Sequence, residues 1–412
     1  MKAGQIRLKC AMKKKIAIII ERANIALGGA ERSVFELAAA LGALGLDVHM
    51  VAAKGQTNAK SINILCQDSP GKRTCYFTFA KALKKHLSEN HYDIVHSVLP
   101  FDFADVYQPR GGTYTESILR NAASYQNRLL ESYKRITAFA NFRRTVLLNA
   151  ERKLCKESNG PLIAAVSQYV VRQFEKHYGV GNGRVVVIPN GVKINKRIDT
   201  VEAGKLRTQI LAKLGLKEAD NPVLFLFVAN NFRLKGLAVL IKAMSVYGET
   251  RRGKTGRQAY LVVAGGGRTH KYRRLVRKLN QPTADGKITF LGPIRHIQNA
   301  LSIIDVAILP TFYDPCSRYI LEALAADKPV ITTRFNGASE QFVNDRHGKV
   351  IERSEDVSAL AEAIGYFTNT NNIKAASEAI VADNLKEKIS ITRVARQLMS
   401  VYESILQKKG QK

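Results

Sequence analysis

At 412 residues the chain is too long for one ordinary hydrophobic core and has the length of two α/β domains. Hydrophobic residues at 46% and aromatics at 8%, with no low-complexity tract, exclude a largely disordered chain. A formal charge of +30 exceeds what solubility needs and points to an acidic partner: nucleic acid, an anionic membrane surface or a phosphorylated lipid.

The longest apolar run, Ile16–Ile20 behind Lys13, Lys14 and Lys15, is only strand-length and lacks the long apolar region and cleavage site of a signal peptide, so a cytoplasmic protein is expected. A strand over Lys15–Ile20 leads into a turn at Gly28-Gly29 and a helix from Ala30 to Leu44. Strands at Val48–Ala52 and Ile94–His96, with a helix over Phe79–Asn90 between them, continue a βαβ pattern. The same grammar restarts at the apolar strand Val223–Val228, the polar turn Asn230–Gly236 and the helix Leu237–Tyr247. Three more strand-turn units follow: Tyr260–Ala264 into Gly265-Gly266-Gly267, Ile288–Leu291 into Gly292-Pro293, and Val306–Leu309 into Pro310. The pattern predicts two doubly wound Rossmann-like α/β domains, 13–194 and 222–388, facing across a cleft, with a charged linker at 195–221. A final helix over Ile389–Leu406, within the segment 389–412, carries an apolar stripe (Val394, Leu398, Val401, Ile405) suited to packing back on the first domain. Ligands of such paired domains bind where the carboxyl ends of the strands face each other. Cys10, Cys66, Cys75, Cys155 and Cys316 are odd in number and scattered, which supports neither a disulfide framework nor a zinc site.

The chemistry is densest in Tyr313–Ala325. Asp314 falls in the loop after a strand and Glu322 about two turns into the next helix, so two carboxylates bracket a helix amino terminus. Such an end offers free N–H groups to phosphate, and the carboxylates can accept hydrogen bonds from vicinal sugar hydroxyls. Together with the preceding strand, Pro310, the Glu-Ala-Leu-Ala helix and the closing Lys328-Pro329-Val330-Ile331, the segment resembles the E-x7-E signature of the retaining GT-B glycosyltransferases of family 4. That resemblance implies that Glu322 grips the ribose of a nucleotide-sugar donor and that Asp314 lies near the transferred sugar. The sequence departs from the family at two points. The first acid is Asp, and the small Gly usually three residues later is Ser317, followed by Arg318.

Other turns fit the same resemblance. Gly28 and Gly29 match the glycine pair whose backbone approaches the donor phosphates, an approach that a Cβ would block. Arg233 and Lys235 match the basic pair that neutralises the diphosphate, fixed cations stabilising the leaving group without a metal. Gly266 matches a second glycine turn lining the pocket. Ile294 and Arg295 fall where relatives contact the nucleobase. Pro189-Asn190-Gly191 marks the approach to the hinge, with Lys196 and Arg197 just beyond it. No cofactor other than the donor co-substrate is expected, and no metal.

On the acceptor side the resemblance thins. His96, Asp105 and Arg110 are the candidates near the loop Gln108–Gly112, where relatives place an Asp or His beneath the sugar; this chain has Gly there, and no acid carries over by position. Between Ser117 and Lys156 run nine Lys or Arg and two acids, interleaved with Leu, Tyr and Phe, within a helical insert predicted at 113–160. This reads either as a solvated helical face or as a basic amphipathic surface on anionic lipid. In position and in pieces such as Ala150-Glu151-Arg152 it resembles the insert of the bacterial glucosyltransferases that extend the lipopolysaccharide core.

The expected activity is therefore metal-independent, retaining transfer of a hexose from a nucleoside-diphosphate sugar, UDP-glucose or a close relative, to a membrane glycolipid such as lipopolysaccharide core. The expected location is peripheral, at the inner face of the cytoplasmic membrane, with 117–156 on anionic lipid. Two alternatives stand beside it: a basic nucleic-acid-binding protein, against which no recognition motif is visible, and a degenerate transferase kept as a membrane scaffold.

Overall fold

A computed structural model describes residues 13–411 apart from 57–58, 70, 72, 182, 195–196, 252–255 and 280–286. The first domain holds strands β1 (Lys15–Ala23), β2 (Asp47–Gly55), β3 (Ile62–Ile64), β4 (Ile94–Ser97), β5 (Val106–Tyr107), β6 (Leu162–Ala165) and β7 (Val185–Val187). They form one parallel sheet in the order β3-β2-β1-β4-β5-β6-β7. Its helices are α1 (Gly29–Ala43), α2 (Tyr76–Glu89), α3 (Tyr114–Ala123), α4 (Arg128–Thr137), α5 (Phe142–Lys156) and α6 (Gln168–Tyr178). The second domain holds β8 (Val223–Val228), β9 (Ala259–Ala264), β10 (Ile288–Gly292), β11 (Val306–Leu309), β12 (Val330–Thr333) and β13 (Gly348–Ile351), parallel in the order β10-β9-β8-β11-β12-β13. Its helices are α7 (Thr200–Leu214), α8 (Leu237–Thr250), α9 (His270–Leu279), α10 (Ile297–Ser302), α11 (Arg318–Ala325), α12 (Val357–Tyr366), α13 (Thr370–Ala382) and α14 (Leu385–Lys388), and α15 (Ile391–Gly410) ends the chain.

The central strands are uninterrupted apolar runs because helices cover both faces of a parallel sheet. Ile16–Ile20 in β1 and Val223–Phe227 in β8 are all buried. Helix α1 presents Val34, Leu37 and Leu41 to the core at helical spacing, leaving its amino end at the cleft.

Helix α15 leaves the second domain and packs on the first. Ile391, Val394, Ala395, Leu398 and Tyr402 join Ile16, Ile18, Val34 and Leu37 in one apolar cluster. The two crossings of the chain between domains run side by side: Val192 N donates to Ile389 O at 3.0 Å, and Ile391 N donates to Val192 O at 2.9 Å.

The expected linker at 195–221 needs correcting. Much of it is α7, which buries Ala203, Ile210, Leu211 and Leu214 on the second domain. Arg207 anchors the helix by donating to Ile303 O at 3.0 Å. The charges that suggested a linker belong to the solvent face of an amphipathic helix. The insert is helical as expected, but unevenly buried: α5 buries Leu147, Leu148, Glu151, Leu154 and Cys155, whereas α4 buries nothing.

Candidate active site

The site forms where the turn after β8 meets the loop after β11. Gly236 has φ 81°, in the left-handed region, and a Cβ there would come within 2.0 Å of Pro310 O. This close approach brings Lys235 onto the loop. Its Nζ lies 2.6 Å from Asp314 Oδ2 and donates to Tyr313 O at 2.9 Å. Asp314 is fixed in turn, its N–H donating to Phe335 O at 2.9 Å.

The first domain holds the same loop from the other side. Ser167 Oγ donates to Pro315 O at 2.7 Å, Asn190 Nδ2 to Cys316 O at 2.7 Å, and Tyr313 OH to Gln173 Oε1 at 3.0 Å. Glu340 crosses the cleft in the opposite sense. Its carboxylate accepts from the N–H groups of Gln168 at 2.7 Å and Tyr169 at 2.6 Å, capping the amino end of α6.

Arg318, on the first turn of α11, is 9% exposed and reaches both domains. Nε donates to Glu322 Oε1 at 3.1 Å, one Nη to Glu36 Oε2 at 2.6 Å and the other to Ser33 Oγ at 3.3 Å. Gly29 faces the same side chain, and a Cβ there would lie 3.7 Å from Arg318 Cδ. Gly29, Arg318 and Glu322 thus meet across the cleft, with Gly28 capping α1 beside them. Ser317 caps α11 and gives its N–H to Asn336 Oδ1 at 3.0 Å.

Arg233 points away from Lys235. Its guanidinium lies 3.8 Å above the Tyr125 ring and donates to Asn121 O at 2.8 Å, to Asn121 Oδ1 at 3.2 Å and to Ser124 Oγ. All three partners sit at the carboxy end of α3, in the insert of the opposite domain. Burial lowers the Arg233 pKa from the usual arginine value, with the two tyrosines Tyr125 and Tyr272 acting against that shift.

The remaining donor-side residues frame openings around α10. Glu322 lines a cavity of about 350 Å³ with Lys193, Gln298, Leu301 and Lys328. Arg295 and Ile294 line a neighbouring one of about 440 Å³. Gly266 N donates weakly to Asn230 Oδ1 at 3.5 Å, so the second glycine turn lies beside the turn that carries Arg233. Arg197 is exposed, and Lys196 lies outside the described residues.

Two of the acceptor-side candidates are corrected by geometry. His96 is fully buried in β4 with Nδ1 2.6 Å from Tyr402 OH, and burial pushes its pKa down to about 3. It fastens α15 to the sheet. Asp105 lies just before β5, at the amino end of the strands and away from the cleft, where it accepts from Val95 N at 2.8 Å and pairs with Lys409 at 2.7 Å. Arg110 alone reaches the domain junction. It donates to Asn190 Oδ1, its Nε finds no hydrogen-bond partner among the described residues, and burial lowers its pKa to about 10. Among the described residues no group of three or more His, Cys, Asp or Glu is placed to hold a metal.

Residues 27–196 match Glycosyltransferase Family 4, and residues 207–380 match Glycosyl transferases group 1. The chain belongs to the family 4 glycosyltransferases. Lipopolysaccharide glucosyltransferase WaaG of Escherichia coli is 22% identical over 82% of this chain and 85% of its own length. A D-inositol 3-phosphate glycosyltransferase of Pseudarthrobacter chlorophenolicus is 23% identical over 79% and 78%. The fold is GT-B: the crystal structure of WaaG superposes with a TM-score of 0.70 at 20% identity, covering 94% of this chain and 99% of that one. Sucrose-phosphate synthase from Thermosynechococcus elongatus gives 0.72 at 19% identity, covering 96% and 100%.

Within this glycosyltransferase the sequence motifs converge unevenly. Lys235 and Asp314 form one pair, and Glu322, Arg318 and Gly29 form a second group. Arg233 is engaged elsewhere. Sequence reasoning misses Glu36, Ser33, Asn121, Ser124, Tyr125 and Glu340. Each acts through a contact with the other domain, and no local pattern marks such a contact.

Proposed function

We propose that the protein is a retaining hexosyltransferase that takes its sugar from a nucleoside-diphosphate donor, UDP-glucose or a close relative, and transfers it to a membrane glycolipid. The observation that carries this reading is the Lys235–Asp314 pair, 2.6 Å apart, at the loop that leads into α11, the helix that bears Glu322. A cation beside the sugar-side carboxylate and a second carboxylate eight residues on match what a sugar diphosphate presents: charge at one end and vicinal hydroxyls at both sugars. The Anabaena protein HepE, whose crystal structures are complexes with UDP and glucose and with UDP-glucose, shares the fold with a TM-score of 0.63 at 15% identity.

In this reading the acceptor hydroxyl oxygen bonds to the donor C1 on the face from which the diphosphate leaves. The C1–O bond to the diphosphate breaks, and the hydroxyl proton passes to the departing phosphate oxygen. Lys235 and Arg233 offset the charge that develops there, a term worth a few kcal/mol for one well-placed donor. Arg233 must first leave its site on α3. Glu322 holds the ribose, and the reaction needs no metal, so activity persists in EDTA.

The acceptor side rests on α4. Leu129 is 83% exposed and Ile136 74%, with Leu130 and Tyr133 on the same face and Arg128, Lys134 and Arg135 around it. Apolar groups ringed by cations suit an anionic bilayer surface. No helix among the described residues is long and apolar enough to cross a membrane. A peripheral place at the inner face of the cytoplasmic membrane follows from this reading.

Lys235→Ala tests the donor role. Turnover is expected to fall by about two orders of magnitude with saturating donor. Unchanged turnover would overturn the assignment.

A further inference from the structure

A second cationic surface stands on the donor domain. Helix α9, His-Lys-Tyr-Arg-Arg-Leu-Val-Arg-Lys-Leu, carries Lys271, Arg273, Arg274, Arg277 and Lys278 and no acid. All five are exposed, while Tyr272 is buried and Leu275, Val276 and Leu279 pack on the core. No hydrogen bond or ion pair joins Arg274, Arg277 or Lys278 to any described residue. By contrast, the half-buried Arg207 finds Glu218 at 2.7 Å and the exposed Arg346 finds Asp383 at 2.7 Å.

The position of α9 gives this surplus a meaning. Lys271, Tyr272 and Leu275 share a cavity of about 340 Å³ with Ser124, Tyr125 and Gln126, the turn that leads from α3 into α4. Contacts run through this junction: Lys134 of α4 lies 5.7 Å from the Tyr125 ring centroid, and Arg233 of the donor domain covers the same ring at 3.8 Å. A basic helix of the donor domain therefore flanks the turn that leads into the amphipathic helix of the acceptor domain.

We infer that α9 and α4 form one composite surface on which both domains rest against an anionic bilayer, α4 inserting its apolar face and α9 contributing charge. This rests on the reading of α4 as membrane-facing. It assigns the membrane a second task, holding the donor domain at the surface together with the insert, so that the cleft opens and closes on the bilayer.

Sedimentation of the full chain with vesicles of phosphatidylcholine, with and without phosphatidylglycerol, at physiological salt tests the inference. Three proteins are compared with the wild type: an α9 variant (Arg274→Gln, Arg277→Gln, Lys278→Gln), an α4 variant (Leu129→Ser, Ile136→Ser), and a control in which Lys213, Arg396 and Lys408, exposed cations on other helices, become Gln. At roughly fivefold per cation near an anionic surface, the α9 variant loses on the order of a hundredfold in vesicle affinity. The control stays close to wild type, and UDP affinity is unchanged in all. Wild-type-like binding by the α9 variant overturns the inference while leaving the α4 reading intact. An equal loss in the control also overturns it, because diffuse charge then accounts for binding. If the wild type ignores vesicles but binds duplex nucleic acid at the same salt, the membrane reading and this inference fall together.

Discussion

Arg233 is the residue on which structure and expected chemistry pull apart, and Tyr125→Ala separates them. The guanidinium lies 3.8 Å from the Tyr125 ring centroid and is about half-buried, a setting in which a cation–π contact contributes about 1–2 kcal/mol. If the donor diphosphate draws Arg233 off α3, that hold subtracts from donor affinity. Removing the ring then tightens UDP binding by about 5- to 30-fold, at about 1.4 kcal/mol per tenfold. Isothermal titration with UDP measures this, with Tyr125→Phe as the companion that keeps a ring face and stays near wild type. Unchanged or weaker UDP binding in Tyr125→Ala refutes the reasoning, because Arg233 would then stay on α3 when the donor binds.

His96→Ala is expected to lower stability by about 2–4 kcal/mol, through the buried volume lost and the Tyr402 hydroxyl left unpaired, while the folded protein keeps its kcat; denaturant titration and steady-state kinetics read the two effects apart. Glu340→Ala removes the cap that the second domain places on α6, at a cost of about 1–2 kcal/mol, and is seen as faster proteolysis at the domain junction in limited digestion. Glu151 is fully buried and accepts from Tyr107 OH at 2.8 Å, Tyr178 OH at 2.6 Å and Tyr114 N at 2.8 Å. Burial outweighs these bonds and pushes its pKa up to about 7. A raised pKa means the folded chain binds the proton more tightly, so the stability it contributes is full below the ordinary glutamate range and is lost as pH rises through about 7. The stability of wild type relative to Glu151→Gln should therefore fall by roughly 3 kcal/mol between pH 4.5 and 7.5, as denaturation across that range shows. A flat difference contradicts it.

The donor half of the cleft was legible because its chemistry is local. Lys235 and Gly236 follow one apolar strand, Asp314 and Glu322 follow another, and strand-turn-helix units announce themselves by periodicity. The acceptor half was not. Strand β5 is two residues long and offers no pattern, and strand position alone does not tell which end or face a residue occupies. His96 looked like a cleft residue because it ends an apolar run, yet it turns into the face covered by α15. Asp105 stands at the wrong end of its strand. The pairing of Arg318 with Glu36 links positions 282 residues apart, and only the folded chain brings them together. Helix α7 was hidden because its four charged residues equal in number the four that it buries.

The most direct test of the account is time-resolved proton NMR of the purified protein with UDP-glucose in EDTA and no acceptor. Slow release of UDP, with α-glucose appearing before its β-anomer, is the predicted result, and Glu322→Ala should abolish it at donor concentrations that suffice for wild type. β-Glucose appearing first would contradict retention. No release and no thermal stabilisation with any of the UDP, GDP or ADP sugars would contradict the account at its centre.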